Sequence, residues 1–107
     1  MSNLTSMATM LALTAIPNIE LPAYGEILEL WAVDPSRNIS RTWRICKRRD
    51  LFGWTVVEWG WGRIGSRGQS RTVVFEQPEK AVALVRRLLL RRANAERRIG
   101  VAYRRCD

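Results

Sequence analysis

The spacing of apolar residues changes once along the chain, at Pro78, and that change limits the fold more than any other feature. Before it, apolar and polar residues alternate with period two in runs separated by short turns, the pattern of strands with one buried face. After it, Ala81, Leu84, Val85, Leu88 and Ala95 recur at helical spacing, and Leu89 widens the stripe. Pro78 suits a first helical turn because its missing N–H has no partner there, and Glu79 is favoured by the positive end of the helix dipole. A helix is therefore expected over residues 78–97, with Gly100 as a left-handed cap.

Strands are expected over 26–33, 41–48, 54–63 and 69–76, with Val101, Ala102 and Tyr103 as a short fifth. Turns at 34–38, 50–53 and 65–68 carry the Pro, Asn, Asp and Gly that tight bends use. Connections this short make neighbouring strands antiparallel. The expected class is α+β: a single antiparallel sheet of four to five strands packed with one main C-terminal helix. Residues 1–25 read as an N-terminal arm, flexible or docked, and 26–107 as the domain. The apolar run 10–16 is too short to span a membrane, stops at Pro17 and has no basic residue before it. It is a candidate contact for another protein or a second copy of the chain. No membrane partner is expected.

Charge is unevenly placed. Residues 1–34 hold four of the ten acids and no base, so residues 35–107 set all 18 bases against the remaining six acids. Sixteen of those bases are arginine, whose planar fork suits phosphate. A field of this sign draws in polyanions. The same chain has no histidine, which removes the usual general base and the commonest zinc ligand. Cys46 and Cys106 lack the spacing of a metal site and read as inert, reduced thiols of a cytoplasmic protein. No enzyme activity, cofactor or metal is expected.

Two places combine aromatic and basic residues. In the second strand Trp43 and Ile45 alternate with Arg44 and Arg48, giving one apolar and one basic face. In the third, Thr55, Val57, Trp59 and Trp61 share a face. Trp61 and Arg63 then stand two residues apart on one side, with Gly62 between them. A ring that stacks on a base or sugar beside a guanidinium that holds a phosphate suits an uncovered nucleic-acid end. Gly65 and Gly68 flank Arg67 in the hairpin that follows. The candidate binding residues are Trp61, Gly62, Arg63, Arg67, Arg44 and Arg48.

Each has an ordinary alternative. Trp61 is equally a packing residue, and Trp43, Trp54 and Trp59 read as core or rim. Arg63 is open to a phosphate or to an ion pair with Glu58 or another acid. Arg86, Arg87, Arg91 and Arg92 form either a solvated helix face or a phosphate-tracking surface, and Arg104 and Arg105 a basic tail.

The run Trp61-Gly62-Arg63-Ile64-Gly65, followed by Gly68-Gln69, Phe75, a helix and Gly100-x-x-Tyr103, resembles the WGR domain. The resemblance covers residues 26–105 and is strongest over 59–75. That domain occurs in DNA-dependent poly(ADP-ribose) polymerases and in short bacterial proteins. It implies a central antiparallel sheet flanked by one main helix. It also implies that Trp61 meets the terminal sugar of a DNA break and that Arg63 couples DNA to neighbouring domains. The chain has no polymerase domain, so the resemblance offers Arg63 no such target within it, and residues 1–25 have no counterpart. The expected role is a non-catalytic protein that binds nucleic acid, DNA ends or nicks above all. The alternative is a protein–protein adaptor.

Overall fold

The computed structural model describes residues 21–106. Five strands, β1 (Ile27–Asp34), β2 (Ile39–Arg49), β3 (Thr55–Arg63), β4 (Gln69–Phe75) and β5 (Arg104–Arg105), form one sheet in the order β4-β3-β2-β1-β5. Every pairing is antiparallel. Helix α1 (Pro78–Ala93) and the short helix α2 (Ala95–Ile99) cover one face. This is the expected α+β architecture. No described helix is long and apolar enough to cross a membrane.

Register decides which side chains meet. Directly paired residues of antiparallel strands share a face. Leu28 pairs with Ile45 and Leu30 with Trp43; on the other side of β2, Trp43 pairs with Trp61 and Ile45 with Trp59. Those residues, with Ala32 and Val57, all point to the helices and meet Ala81, Leu84, Val85, Leu89, Ala95 and Tyr103 in one core. Glu29, Trp31, Arg44, Glu58 and Val74 alternate onto the other face, which no described helix covers.

Three details differ from the reading of the sequence. The long helix is two: the chain departs from helical geometry at Asn94 (φ −90°, ψ 6°) and α2 resumes at Ala95. Asn competes for backbone hydrogen bonds and tolerates such a break, which lets Ala95 and Ile99 turn back onto the core. Leu89 is the residue most deeply set in the second half of α1, at 1 % exposed, whereas Leu88 sits partly buried at the core's edge. The buried row is Ala81-Val85-Leu89, the i, i+4 ridge that a helix lays against a partner layer. The last strand is Arg104–Arg105, paired with Trp31 and Leu30, because Tyr103 is taken into the core instead.

The expected arm lies mostly outside the described residues, and the run 10–16 entirely so. Its last residues are tied to the domain. Gly25 N–H donates to the Lys47 carbonyl at 2.8 Å, and the Tyr24 and Thr55 hydroxyls are 3.0 Å apart. At the far end of the fold, Gly100 closes α2 in the left-handed conformation (φ 79°). The Arg37 guanidinium donates to the carbonyls of Ile99 (3.3 Å) and Gly100 (3.0 Å), satisfying helix-end acceptors from the β1–β2 turn.

The buried row sets the expected cost of truncation. Leu89→Ala should destabilise by on the order of 2–5 kcal/mol, and Leu88→Ala by clearly less because its site opens to water. Urea unfolding of both variants checks this; an equal or larger loss at Leu88 would show that the wrong residue has been placed in the core.

Candidate nucleic-acid interface

At the end of the sheet that carries the β1–β2 turn, helix and sheet part to leave an open cleft of about 800 Å³. Its floor comes from β2, β3 and β4 and its wall from the C-terminal half of α1 and from α2. Six arginines line it: Arg41, Arg63 and Arg71 from the strands and Arg91, Arg92 and Arg98 from the helices. Trp59, Trp61 and Leu88 supply apolar surface between them. No carboxylate is among the described residues that line the cleft. The ion pairs Arg37–Asp34 (2.7 Å) and Arg48–Glu58 (3.8 Å) involve none of the six.

The register explains the gathering. Arg41 pairs with Arg63, Trp43 with Trp61, and Trp59 with Arg71, so these side chains leave the sheet on one face, the helix side. Toward the turn the face opens between the strands and α2, whose end is still held by Arg37, and its strand residues change from apolar to basic. The two ends of the stripe are thus a core and a cationic cleft.

Arg63 is oriented by a neutral partner. Its Nη2 donates to Asn38 Oδ1 at 2.8 Å and its Nη1 points at the Asn38 carbonyl at 3.4 Å. Asn38 is placed for this by its left-handed conformation (φ 55°), which ends the 3-10 turn Pro35–Arg37. That turn is itself held by Asp34, whose carboxyl lies below its usual pKa range because the Ser36 hydroxyl, and then Arg37, donate to it. Arg63 is therefore aimed by an uncharged group; among the described residues neither Glu58 nor another acid is its partner.

Arg92 is the deepest cation. Its guanidinium lies 4.8 Å from the centre of the Trp43 ring and 5.8 Å from that of Tyr103. Its Nε and the Trp43 indole Nε1 are buried without a hydrogen-bond partner among the described residues. Desolvation pushes its pKa down; Tyr103 opposes that shift, while Arg98 and Arg91 add to it. Arg98 donates to the Arg91 carbonyl at 2.8 Å, keeping these charges close together.

Glycine shapes the rim. A Cβ on Gly62 would come 2.7 Å from the Gly68 Cα, and one on Gly68 would collide with the Trp61 carbonyl. The hairpin returns so closely over the Trp-Gly-Arg triplet that neither position admits a side chain. Gly68 (φ 69°) also needs the conformation that glycine adopts freely.

The structure brings Trp61, Gly62 and Arg63 into the cleft and leaves Arg67 exposed in the hairpin beside it. Arg44 and Arg48 are on the opposite face of the sheet, so they do not share a surface with Trp61 and Arg63. Arg44 lies across Gly60, where a Cβ would come 2.8 Å from its Cζ, and Arg48 faces Glu58. The basic face of β2 alone did not reveal on which side β3 would present its triplet. Reading missed Arg41 and Arg71 as cleft residues, although each falls in the apolar phase of its strand, in step with Trp43 and Val73. Of the helix arginines, Arg91 and Arg92 line the cleft while Arg86 and Arg87 face solvent. Trp43 is core and Trp59 rim, but Trp54 is exposed beside Phe52 in the β2–β3 turn.

A family model for the WGR domain matches residues 28–96. An uncharacterized protein of Sinorhizobium fredii, y4dW, is 42% identical over 57 residues, which is 53% of this chain and 28% of that one. The match therefore spans under a third of that relative. No solved structure matches the chain.

A half-buried guanidinium with no counter-charge among the described residues should cost stability that an apolar side chain of similar length does not. Arg92→Met is expected to leave the melting temperature unchanged or raised, and to shrink the rise produced by millimolar pyrophosphate, which stabilises whatever folded state binds it. In a domain this small about 1 kcal/mol is worth roughly 4–8 °C. A fall of that size in Arg92→Met would mean that the stack on Trp43 outweighs desolvation.

Proposed function

The chain belongs to the WGR domain family, and from that premise we propose that it is a non-catalytic cytoplasmic protein that binds DNA ends or nicks in the arginine-lined cleft. WGR domains are associated with nucleic-acid binding in general. The observation that carries the finer reading is the cleft's composition: six arginines and two tryptophans with no acid among them. Such a surface suits a sugar-phosphate chain, with charge held by the guanidiniums and a base or sugar against a ring. The site is a recess between sheet and helices. A strand terminus or the lifted strand at a nick fits a recess better than the wall of an intact duplex. In this reading Trp61 meets the exposed sugar or base, Arg63 takes a phosphate in the orientation Asn38 sets, and Arg41 and Arg71 hold the next phosphates.

The absence of histidine from the chain, and of carboxylates from the described lining of the cleft, supports the non-catalytic reading, since the commonest general base and metal ligands are missing there. Arg44 and Arg48 have no place in this site.

Binding to DNA should fall steeply with salt. If about five phosphates are neutralised, log affinity against log salt has a slope of about −4 to −5 on duplex DNA. Arg41→Ala and Arg71→Ala should each reduce that slope by about one unit. Arg86→Ala, on the outer face of α1, should leave it unchanged. Failure to bind any polyanion at low salt would overturn the proposal and favour the adaptor.

Preference for a broken over an intact duplex should depend on Trp61. Provided its unfolding transition stays cooperative, Trp61→Ala is expected to lose most of that preference, a stacking contact being worth about 1–3 kcal/mol. Because the indole carries no charge, the salt slope should stay as in the parent. A variant that folds and keeps the parent's nicked-to-intact ratio would leave basic attraction without end recognition.

A further inference from the structure

At the opposite end of β2 and β3, residues 50–54 form a turn whose apex is apolar. Leu51 is 101 % exposed and Phe52 84 %, with Trp54 behind them at 45 %. The turn does not need these residues to form. Asp50 Oδ1 accepts from the N–H groups of Phe52 (2.9 Å) and Trp54 (3.0 Å), and Gly53 supplies the left-handed position (φ 78°). The Asp50 N–H also donates to the Trp54 carbonyl (3.0 Å), and the Asp50 carbonyl accepts from the Gly53 N–H (3.1 Å). Beyond the tilted ring contact of Phe52 with Trp54 (centroids 6.5 Å apart), the side chains at 51 and 52 take no part in these bonds, yet both are large hydrophobes standing in water.

Cations stand directly behind the apex. Lys47 and Arg49 each place their charge 4.6 Å from the centre of the Tyr24 ring on one side of the ribbon, and Arg48 lies on the other. The ribbon projects. β1 begins at Ile27 opposite Cys46, and β4 ends at Phe75 opposite Thr55, so neither neighbour extends alongside residues 50–54.

We propose that this turn is a second nucleic-acid contact, in which Leu51 and Phe52 wedge between base pairs of a duplex while Lys47, Arg48 and Arg49 hold the flanking phosphates. Apolar side chains on a projecting basic ribbon are the means by which proteins unstack and kink a duplex. A flat anionic lipid surface fits this end less well. Glu26, next to Ile27 opposite Cys46, and Glu76, next to Phe75 opposite Thr55, flank the base of the turn and would meet a plane, whereas a groove takes the apex alone. The proposal rests on the nucleic-acid reading above but not on the cleft, whose β3 residue nearest the turn, Trp59, stands five residues along the chain from Trp54, about 17 Å in extended backbone.

The test uses a dumbbell duplex closed by loops at both ends, which offers the cleft no terminus, and which carries a fluorescent purine whose emission rises on unstacking. The full chain should raise that emission. The double substitution Leu51→Ser/Phe52→Ser should melt at the parental temperature, since both side chains are exposed. It should lose the emission change and weaken dumbbell binding by roughly tenfold. It should still keep the parental preference for nicked over intact duplex. That preference, read separately through Trp61→Ala, reports on the cleft and fails independently. No emission change with the parent, or parental dumbbell affinity in the double variant, overturns the wedge. Loss of binding to phosphatidylserine vesicles, or a change in sedimentation, with duplex affinity intact would likewise overturn it and assign the turn to lipid or to a second copy.

Discussion

The indole of Trp43 has no exposed surface, and packing in both layers runs through it. It stands in the central strand β2, flanked in the sheet by Leu30 and Trp61, and it carries the Arg92 guanidinium on its ring. A residue of this size at the middle of a single-layer core settles how far the helix stands from the sheet. Where small residues such as Ala32, Ala81 and Ala95 face inward, the layers close to full burial. Trp59 and Trp61, which follow along β3, are only partly buried against the core and line the cleft. Core and site are consecutive stretches of one surface, so changes at Trp43 should be felt in both.

Electrostatics in the cleft depend on what is withheld from it. Arginine stems pack well against apolar surface while their heads reach solvent, so a cluster of them can line a gap between tryptophans. Like charges this close would ordinarily be relieved by acids. Here the available acids are used elsewhere: Asp34 braces the 3-10 turn, Glu58 faces Arg48 on the far side of the sheet, and Asp50 closes the β2–β3 turn. Arg63 is positioned by an amide and Arg92 by rings, both uncharged. Order is obtained without cancelling the positive field, which favours an anion arriving from outside. The molecule therefore has two unlike ends: a concave cationic one beside the β1–β2 turn and a convex apolar one at the β2–β3 turn.

Much of this architecture was legible along the chain. The change of period at Pro78 separated sheet from helix, the turn residues located the bends, and Gly100 marked the helix end. The Trp-Gly-Arg triplet announced both the family and the face-sharing of Trp61 with Arg63. Local rules suffice for such features because each depends on a few neighbouring residues. Asn94 was less legible, since an Asn inside a helical stretch is common and breaks the helix only if the core rewards the turn that follows. Leu88 and Leu89 differ by one step around the helix, and only the angle at which α1 crosses a twisted sheet decides which is buried.

By itself, then, the sequence determined the class of fold, the order of its elements, the excess of positive charge and the pairing of a ring with a guanidinium on β3. What the tertiary structure alone decided was company. Strand register put Arg41 and Arg71 beside Trp59, Trp61 and Arg63, and sent Arg44 and Arg48 to the opposite face. The packing of α1 and α2 added Arg91, Arg92 and Arg98 from residues up to 57 positions further along. Period two tells which residues of one strand share a side, but not which side of the neighbouring strand joins them. A shift of register by one residue would exchange the two sets, and that choice is made by burial of the whole apolar face at once.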